Sequence, residues 1–159
     1  MNRRYRLIFC ILIFLVLSGC STEKFDGTIT PKETTFNIND YKNTDGAKAI
    51  FFEDKNNNIY KFIIWGSTGY AEYGYDIVAS ALSALSINTI NTISQLVGAD
   101  ISTNVTQVNG VPYMECSINK FNNQKEKDQL ILLMDSLKLG ITSIQDTYGS
   151  EYLELIELR

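Results

Sequence analysis

Residues 65–85 of this 159-residue chain have the organisation of a two-residue active site: a strand end, a loop with three glycines, then the first turns of a helix rich in small residues. Gly66, Gly69 and Gly74 can take positive φ without penalty, so the backbone can fold tightly between them. Asp76, just ahead of an apolar run, suits a helix N-terminus, where a carboxylate meets unpaired N–H groups and the positive end of the dipole. A side chain on the loop can then face one on the first helical turn. The reactive groups themselves are missing. A thiol nucleophile needs a base or a lowered pKa, and the chain contains no histidine. Its three cysteines, Cys10, Cys20 and Cys116, all lie outside the loop and helix. Ala79 has no nucleophilic atom, and Ser67 has a hydroxyl with no evident base. Ser80 is turned about 100° from position 79 around the helix. Ordinary Cys/His catalysis is excluded by composition.

Other constellations read as structure. Cys116 falls on the apolar face of an alternating stretch and is expected in the core. Glu115 and Glu126 have no spacing that marks a glycosidase pair. Asp54, Asn56 and Asn58 resemble an oxygen-rich calcium loop but lack its turn glycine and terminal Glu, so a hairpin turn is expected there. No metal site and no cofactor is expected.

The elements that must position the loop follow from periodicity. Ala47–Glu53 and Ile59–Trp65 flank the polar run 54–58 and predict a β-hairpin, its second strand apolar on both faces and therefore central. Residues 76–97 predict a helix through Val78, Leu82, Leu85, Ile93 and Leu96, polar and weakly helical in its second half, with Gly98 as C-cap. Strands are predicted over 101–108 and 111–121 around Asn109-Gly110, a strong hairpin signal. A second helix opens at Asn123 or Gln124 and runs to about Tyr148 on a stripe of Leu130, Met134, Leu137, Ile141 and Ile144, with Asp128 and Lys138 facing solvent. A last strand is predicted over 151–158. The order β-β-α-β-β-α-β implies an α+β fold, a two-layer α/β sandwich with a mostly antiparallel sheet and two helices.

Residues 66–85, centred on Asp76-Ile77-Val78, resemble the ribosomal-processing cysteine proteases (the Prp family), and the resemblance extends through Asp128-Gln129-Leu130-Ile131-Leu132 to the end. The family pattern is Gly-His-Ala, a glycine-containing loop, then Gly-x-Asp-Ile-Val-Cys-Ala, with the His as general base and the Cys as nucleophile. The matching positions here are Ser67 and Ala79, at the family spacing, with Gly66, Gly74, Asp76 and Ser83 retained around them. The resemblance implies a small α/β sandwich that tends to form homodimers, with a peptide or protein partner at the 66–80 loop, where Tyr70, Tyr73 and Tyr75 suit a contact surface. It also carries an alternative: an active endopeptidase that trims the N-terminal extension of a large-subunit ribosomal protein, Ser80 or Cys116 serving without a histidine.

The front end is a separate module. Arg3, Arg4 and Arg6 precede an apolar run from Leu7 to Leu17, too short to span a bilayer, which needs about 20 apolar residues. It ends in Leu17-Ser18-Gly19-Cys20, which resembles a bacterial lipobox with Cys20 as the acylated residue. The expected organisation is a lipoprotein signal peptide over 1–19, a polar tether over 20–46 and a Prp-like domain over 47–159, held at the extracytoplasmic face of the cell membrane by lipidated Cys20. A formal charge of −4, more acidic still once the three arginines are removed, argues against a phosphate backbone as partner.

Overall fold

Apolar side chains on both faces place Ala47–Glu53 (β1) and Ile59–Trp65 (β2) in the middle of a sheet, and their burial agrees: in β1 only Glu53 escapes full burial. The computed structural model describes residues 24–41 and 45–158, so the expected signal peptide and Cys20 lie outside the described residues. The remaining elements are helix α1 (Ile77–Asn91), continued by a π-helical turn over Thr92–Val97, then β3 (Ile101–Val108), β4 (Val111–Ile118), α2 (Gln124–Tyr148) and β5 (Leu153–Leu158). The order β-β-α-β-β-α-β and the α+β class are those expected from the sequence. The sheet runs β3-β4-β2-β1-β5. All neighbours are antiparallel except β1 and β5, which pair in parallel from Ala47↔Leu153 to Phe52↔Leu158. A parallel neighbour needs a crossover, and α2 supplies it by carrying the chain from β4 across the sheet to β5.

Local chemistry explains the joints. The Asp54 carboxylate accepts from the N–H groups of Asn56 (2.8 Å) and Asn58 (2.9 Å) and from the Asn58 side chain (3.0 Å), so the polar run closes the β1–β2 turn upon itself. Asn109 and Gly110, both at positive φ, make the β3–β4 turn. Asn123 caps α2 by accepting from the Glu126 N–H at 2.9 Å. In the polar second half of α1, Ser86 and Thr89 donate back to the carbonyls of Leu82 and Leu85, and the helix loosens into the π turn before Gly98 ends it.

Both helices lie on one face of the sheet, where Phe51, Phe62, Val78, Leu130, Met134 and Ile141 are almost wholly excluded from water. A Cβ on Gly140 would lie 2.9 Å from Leu85 Cδ1, which shows how closely α2 approaches α1. Lys138, expected in solvent, is half-buried and pairs with Glu157 on β5 at 2.7 Å.

The opposite face is covered by the segment expected to be a tether. Phe25 and Ile29 pack against the helix-side core, and the Phe121 N–H donates to the Gly27 carbonyl at 2.9 Å. The chain then crosses the β1–β2 turn, where the Lys55 N–H donates to the Thr30 carbonyl (2.9 Å) and Lys32 pairs with Glu53 (2.7 Å). Beyond it Phe36, Ile38 and Tyr41 settle on Ile50, Phe52, Ile63 and Trp65, with Phe36 edge-on to Phe52 at 5.1 Å. Ile38–Tyr41 is a single 3₁₀ turn. At least over 25–41, this stretch is a strap on the domain, because its few apolar side chains find an uncovered sheet face within reach.

Burial ranks the helix α2 positions for mutation. Met134→Ala, at a fully buried site, should cost about 2–5 kcal/mol of unfolding free energy. Leu132→Ala, 70% exposed, should cost less than about 0.5 kcal/mol. Urea denaturation of the two variants checks the difference, and equal losses would mean that α2 does not present this stripe to the sheet.

Candidate functional site

The loop leaving β2 is organised around one carboxylate. Gly66 leaves the strand at φ 94°, its N–H donating to the Pro112 carbonyl at 3.0 Å, and a Cβ there would sit 3.2 Å from the Gly46 carbonyl oxygen. Both the backbone angle and the close approach therefore require glycine. Asp76 caps α1: one carboxylate oxygen accepts from the Ala79 N–H at 2.7 Å and the other from the Thr68 hydroxyl. The N–H groups of Ala71 and Tyr70 also hydrogen-bond to it. Burial alone would raise the Asp76 pKa, but the bonds from Ala79, Thr68, Ala71 and Tyr70 outweigh it and hold the carboxyl below its ordinary value. Thr68 is itself 3% exposed. One anion thus ties the residue after Ser67 to the amide of Ala79.

Four chain segments meet at this end of the sheet and enclose a cleft of about 550 Å³. Its walls are the β2–loop junction from Trp65 to Gly69, the β3–β4 turn from Gly110 to Pro112, the strap end with Tyr41, Asp45 and Gly46, and Glu151 with Tyr152 ahead of β5. The Trp65 indole N–H reaches the Tyr41 carbonyl at 3.4 Å, joining strap to sheet at the cleft wall.

Of the positions singled out in the sequence, Ser67 and Gly66 line this cleft, whereas Gly74, Asp76, Ala79 and Ser83 do not. Ala79 is half-buried on the first turn of α1 and Ser83 is exposed one turn on. The Ser80 hydroxyl donates to the Asp76 carbonyl at 2.8 Å. The three loop tyrosines divide. Tyr70 stands edge-on to Tyr148 (5.4 Å) and Tyr152 (5.0 Å), while Tyr73 and Tyr75 project into solvent. Sequence reasoning missed Thr68, Tyr41, Asp45, Glu151 and Tyr152, which come together only through the fold.

Cys116 on β4 is fully buried, opposite Phe62 of β2. Burial, with a smaller push from the Glu115 charge, raises its thiol pKa to about 12, so almost none is thiolate at neutral pH. Glu115 itself is held by Lys61 (2.5 Å) and the Tyr113 hydroxyl (2.5 Å), while Glu126 at the start of α2 accepts from Asn122; the two carboxylates serve separate networks. Among the described residues, no three His, Cys, Asp or Glu side chains converge as a metal site would need.

The family model for the cysteine protease Prp matches residues 47–153. Among solved structures, SMU.848 from Streptococcus mutans is 26% identical, with a TM-score of 0.60 over 72% of this chain and 95% of that one. The essential ribosomal processing protease Prp from S. aureus, crystallised with a covalently linked product peptide, is 20% identical, with a TM-score of 0.58 over 70% of this chain and 99% of that one. The same S. aureus protease with a substrate peptide is 17% identical at a TM-score of 0.54, with the same coverage. At these two identities the likeness is one of fold. No curated protein matches the chain.

The Asp76 clamp yields a pH-dependent prediction. Because the folded-state pKa is depressed, its stabilisation is present above the ordinary aspartate value of 3.8 and disappears as pH falls through the lower folded value. Asp76→Asn should therefore lower stability by about 1–2 kcal/mol at pH 7. The gap between variant and parent should close on acidification below pH 3.8, as read by urea denaturation across pH; a gap that stays constant to low pH would remove the charge from the explanation.

Proposed function

Because this chain belongs to the cysteine protease Prp family while holding no histidine and an alanine at position 79, we propose that it is a non-catalytic family member that binds a peptide in the cleft and is anchored outside the cytoplasm through lipidated Cys20. The observation that carries the reading is compositional: a chain without histidine cannot run the Cys/His chemistry of a thiol protease on its own side chains. The two substitutes weighed from the sequence do not repair the loss. Cys116 is buried with its pKa pushed up to about 12 and does not line the cleft, and the Ser80 hydroxyl is spent on a helical carbonyl. Fold likeness alone does not transmit an activity.

Peptide binding is supported by a cleft beside the family loop and by the S. aureus protein, which holds a substrate peptide and a covalently linked product peptide. The membrane anchor is supported by the basic n-region, the apolar run and Leu17-Ser18-Gly19-Cys20. Exposed Ile77, Ile87, Leu132 and Leu139 on the outer side of the helices leave apolar surface of the kind a second copy would cover, as the homodimer implied by the resemblance requires.

The reading is tested by restoring the pair. Ser67→His with Ala79→Cys should give a thiol alkylated by iodoacetamide at neutral pH at least about tenfold faster than Ala79→Cys alone, since a neighbouring imidazolium lowers a thiol pKa. Equal rates would show that positions 67 and 79 do not face each other as a catalytic pair. Hydrolysis of a peptide by the unaltered chain, abolished by Ser67→Ala, would overturn the non-catalytic reading. Palmitate incorporation that survives Cys20→Ala would overturn the anchor.

A further inference from the structure

The strap leaves little free chain between Cys20 and the domain. Phe25 packs against the helix-side core, and the crossing at Gly27 is close enough that a Cβ there would collide with the Phe121 carbonyl. Lys32 then reaches the Glu53 carboxylate and the Asn57 side chain, each at 2.7 Å. Five Cα-to-Cα steps join Cys20 to the first docked residue, Phe25, a reach of at most about 18 Å. A free tether over 20–46 would reach about 90 Å. We propose that the domain stands on an anionic bilayer on the end where the strap begins, with the lysines of that end against headgroup phosphates and the cleft turned away. This rests on the anchor reading and adds which surface meets the membrane.

That end is built from the β1–β2 turn, the stretch from Asn119 to the first turn of α2, and the strap from Lys24 to Thr30. Backbone bonds from Phe121 to Gly27 and from Lys55 to Thr30, both 2.9 Å, join the three. The cleft lies at the other end of the same strands, beyond the seven residues of β1 and of β2, which span about 23 Å. Turned cleft-down, the domain would hold Phe25 at least that far from the bilayer, and the chain from Cys20 is too short to follow. Charge points the same way. Lys32, Lys48, Lys61 and Lys138 each pair with a glutamate. The other lysines of the described residues, Lys24, Lys55, Lys120, Lys125 and Lys127, make no ion pair there, and all five lie at the end where the strap begins. The exposed carboxylates beside them are Asp26, Asp100 and Asp128, which accept from Thr28, Asn119 and Gln124, and Glu33. At the cleft end Asp45, Glu72 and Glu151 are exposed, while the described lysine there, Lys48, is buried. Lys42, outside the described residues, would not reverse that sign. An anionic surface therefore attracts the first end and repels the second.

The test binds the full acylated chain to vesicles of equimolar phosphatidylcholine and phosphatidylglycerol that carry a nitroxide on the headgroup. A fluorophore is placed singly at Asn56→Cys in the β1–β2 turn, Ser136→Cys on the outer side of α2, or Tyr73→Cys on the cleft loop. All three positions are exposed, and Cys116 is buried and Cys20 acylated, so the added thiol is the one labelled. Quenching at position 56 should exceed that at 73 and 136 at least about threefold, because the chain is too short to let the other end reach the headgroups. In the Lys55→Gln, Lys120→Gln, Lys125→Gln triple variant, whose melting temperature should match the parent because all three side chains are exposed, quenching at 56 should fall at least about twofold. It should then equal that of the parent on phosphatidylcholine alone. Equal quenching at the three positions, or the strongest at 73 or 136, overturns the proposal and leaves the anchor reading standing. Quenching at 56 that the triple variant does not change overturns the lysine contact. A full chain that does not bind vesicles at all overturns the anchor reading and the proposal with it.

Discussion

The Asp76 carboxylate holds the cleft end of this domain together by accepting from donors on both sides of a loop: the Thr68 hydroxyl, the N–H groups of Tyr70 and Ala71, and the Ala79 N–H at the helix start. Hydrogen bonds to an ionised acceptor are about twice as strong as neutral ones, and losing this acceptor would leave several donors unpaired at once. The clamp contains no group that needs to react. The order of the loop thus rests on the cap and not on the side chains at positions 67 and 79.

The second constraint is the apolar face of the sheet turned away from the helices. Ile50, Phe52, Ile63 and Trp65 would present a contiguous patch to water, and Phe36, Ile38 and Tyr41 cover it. These strap residues lie ahead of the family match, which begins at residue 47. The same strap ends at the cleft, where the Tyr41 carbonyl accepts from the Trp65 indole. The cover of the sheet and one wall of the cleft therefore both come from chain that precedes β1.

Charged groups elsewhere are spent on structure. Lys61, Glu115 and Tyr113 form a half-buried chain of short hydrogen bonds on the strap side of the sheet, Lys48 bridges the Asp45 carbonyl and Glu154, and Lys138 ties α2 to β5 through Glu157. Partly buried ions persist when each finds a partner.

Much of the domain was legible in the residues because the rules that made it so act over a few positions. Apolar runs on either side of a polar turn marked β1 and β2, alternation marked β4, and a three- and four-residue stripe marked α2. Asp76, Asn123, Gly98 and Asn109-Gly110 carried their own cap and turn chemistry, and the burial of Cys116 followed from its place in β4. The lack of Cys/His chemistry needed only the composition, since a missing side chain is missing in every conformation. The sheet order, the parallel partnership of β1 with β5, the fate of 25–41 and the division of Tyr70 from Tyr73 and Tyr75 were decided in three dimensions. So was the cleft, whose walls come from residues 41 to 152. Short-range periodicity says which side of an element is apolar, but not which distant element will cover it; that choice belongs to the packing of the whole chain.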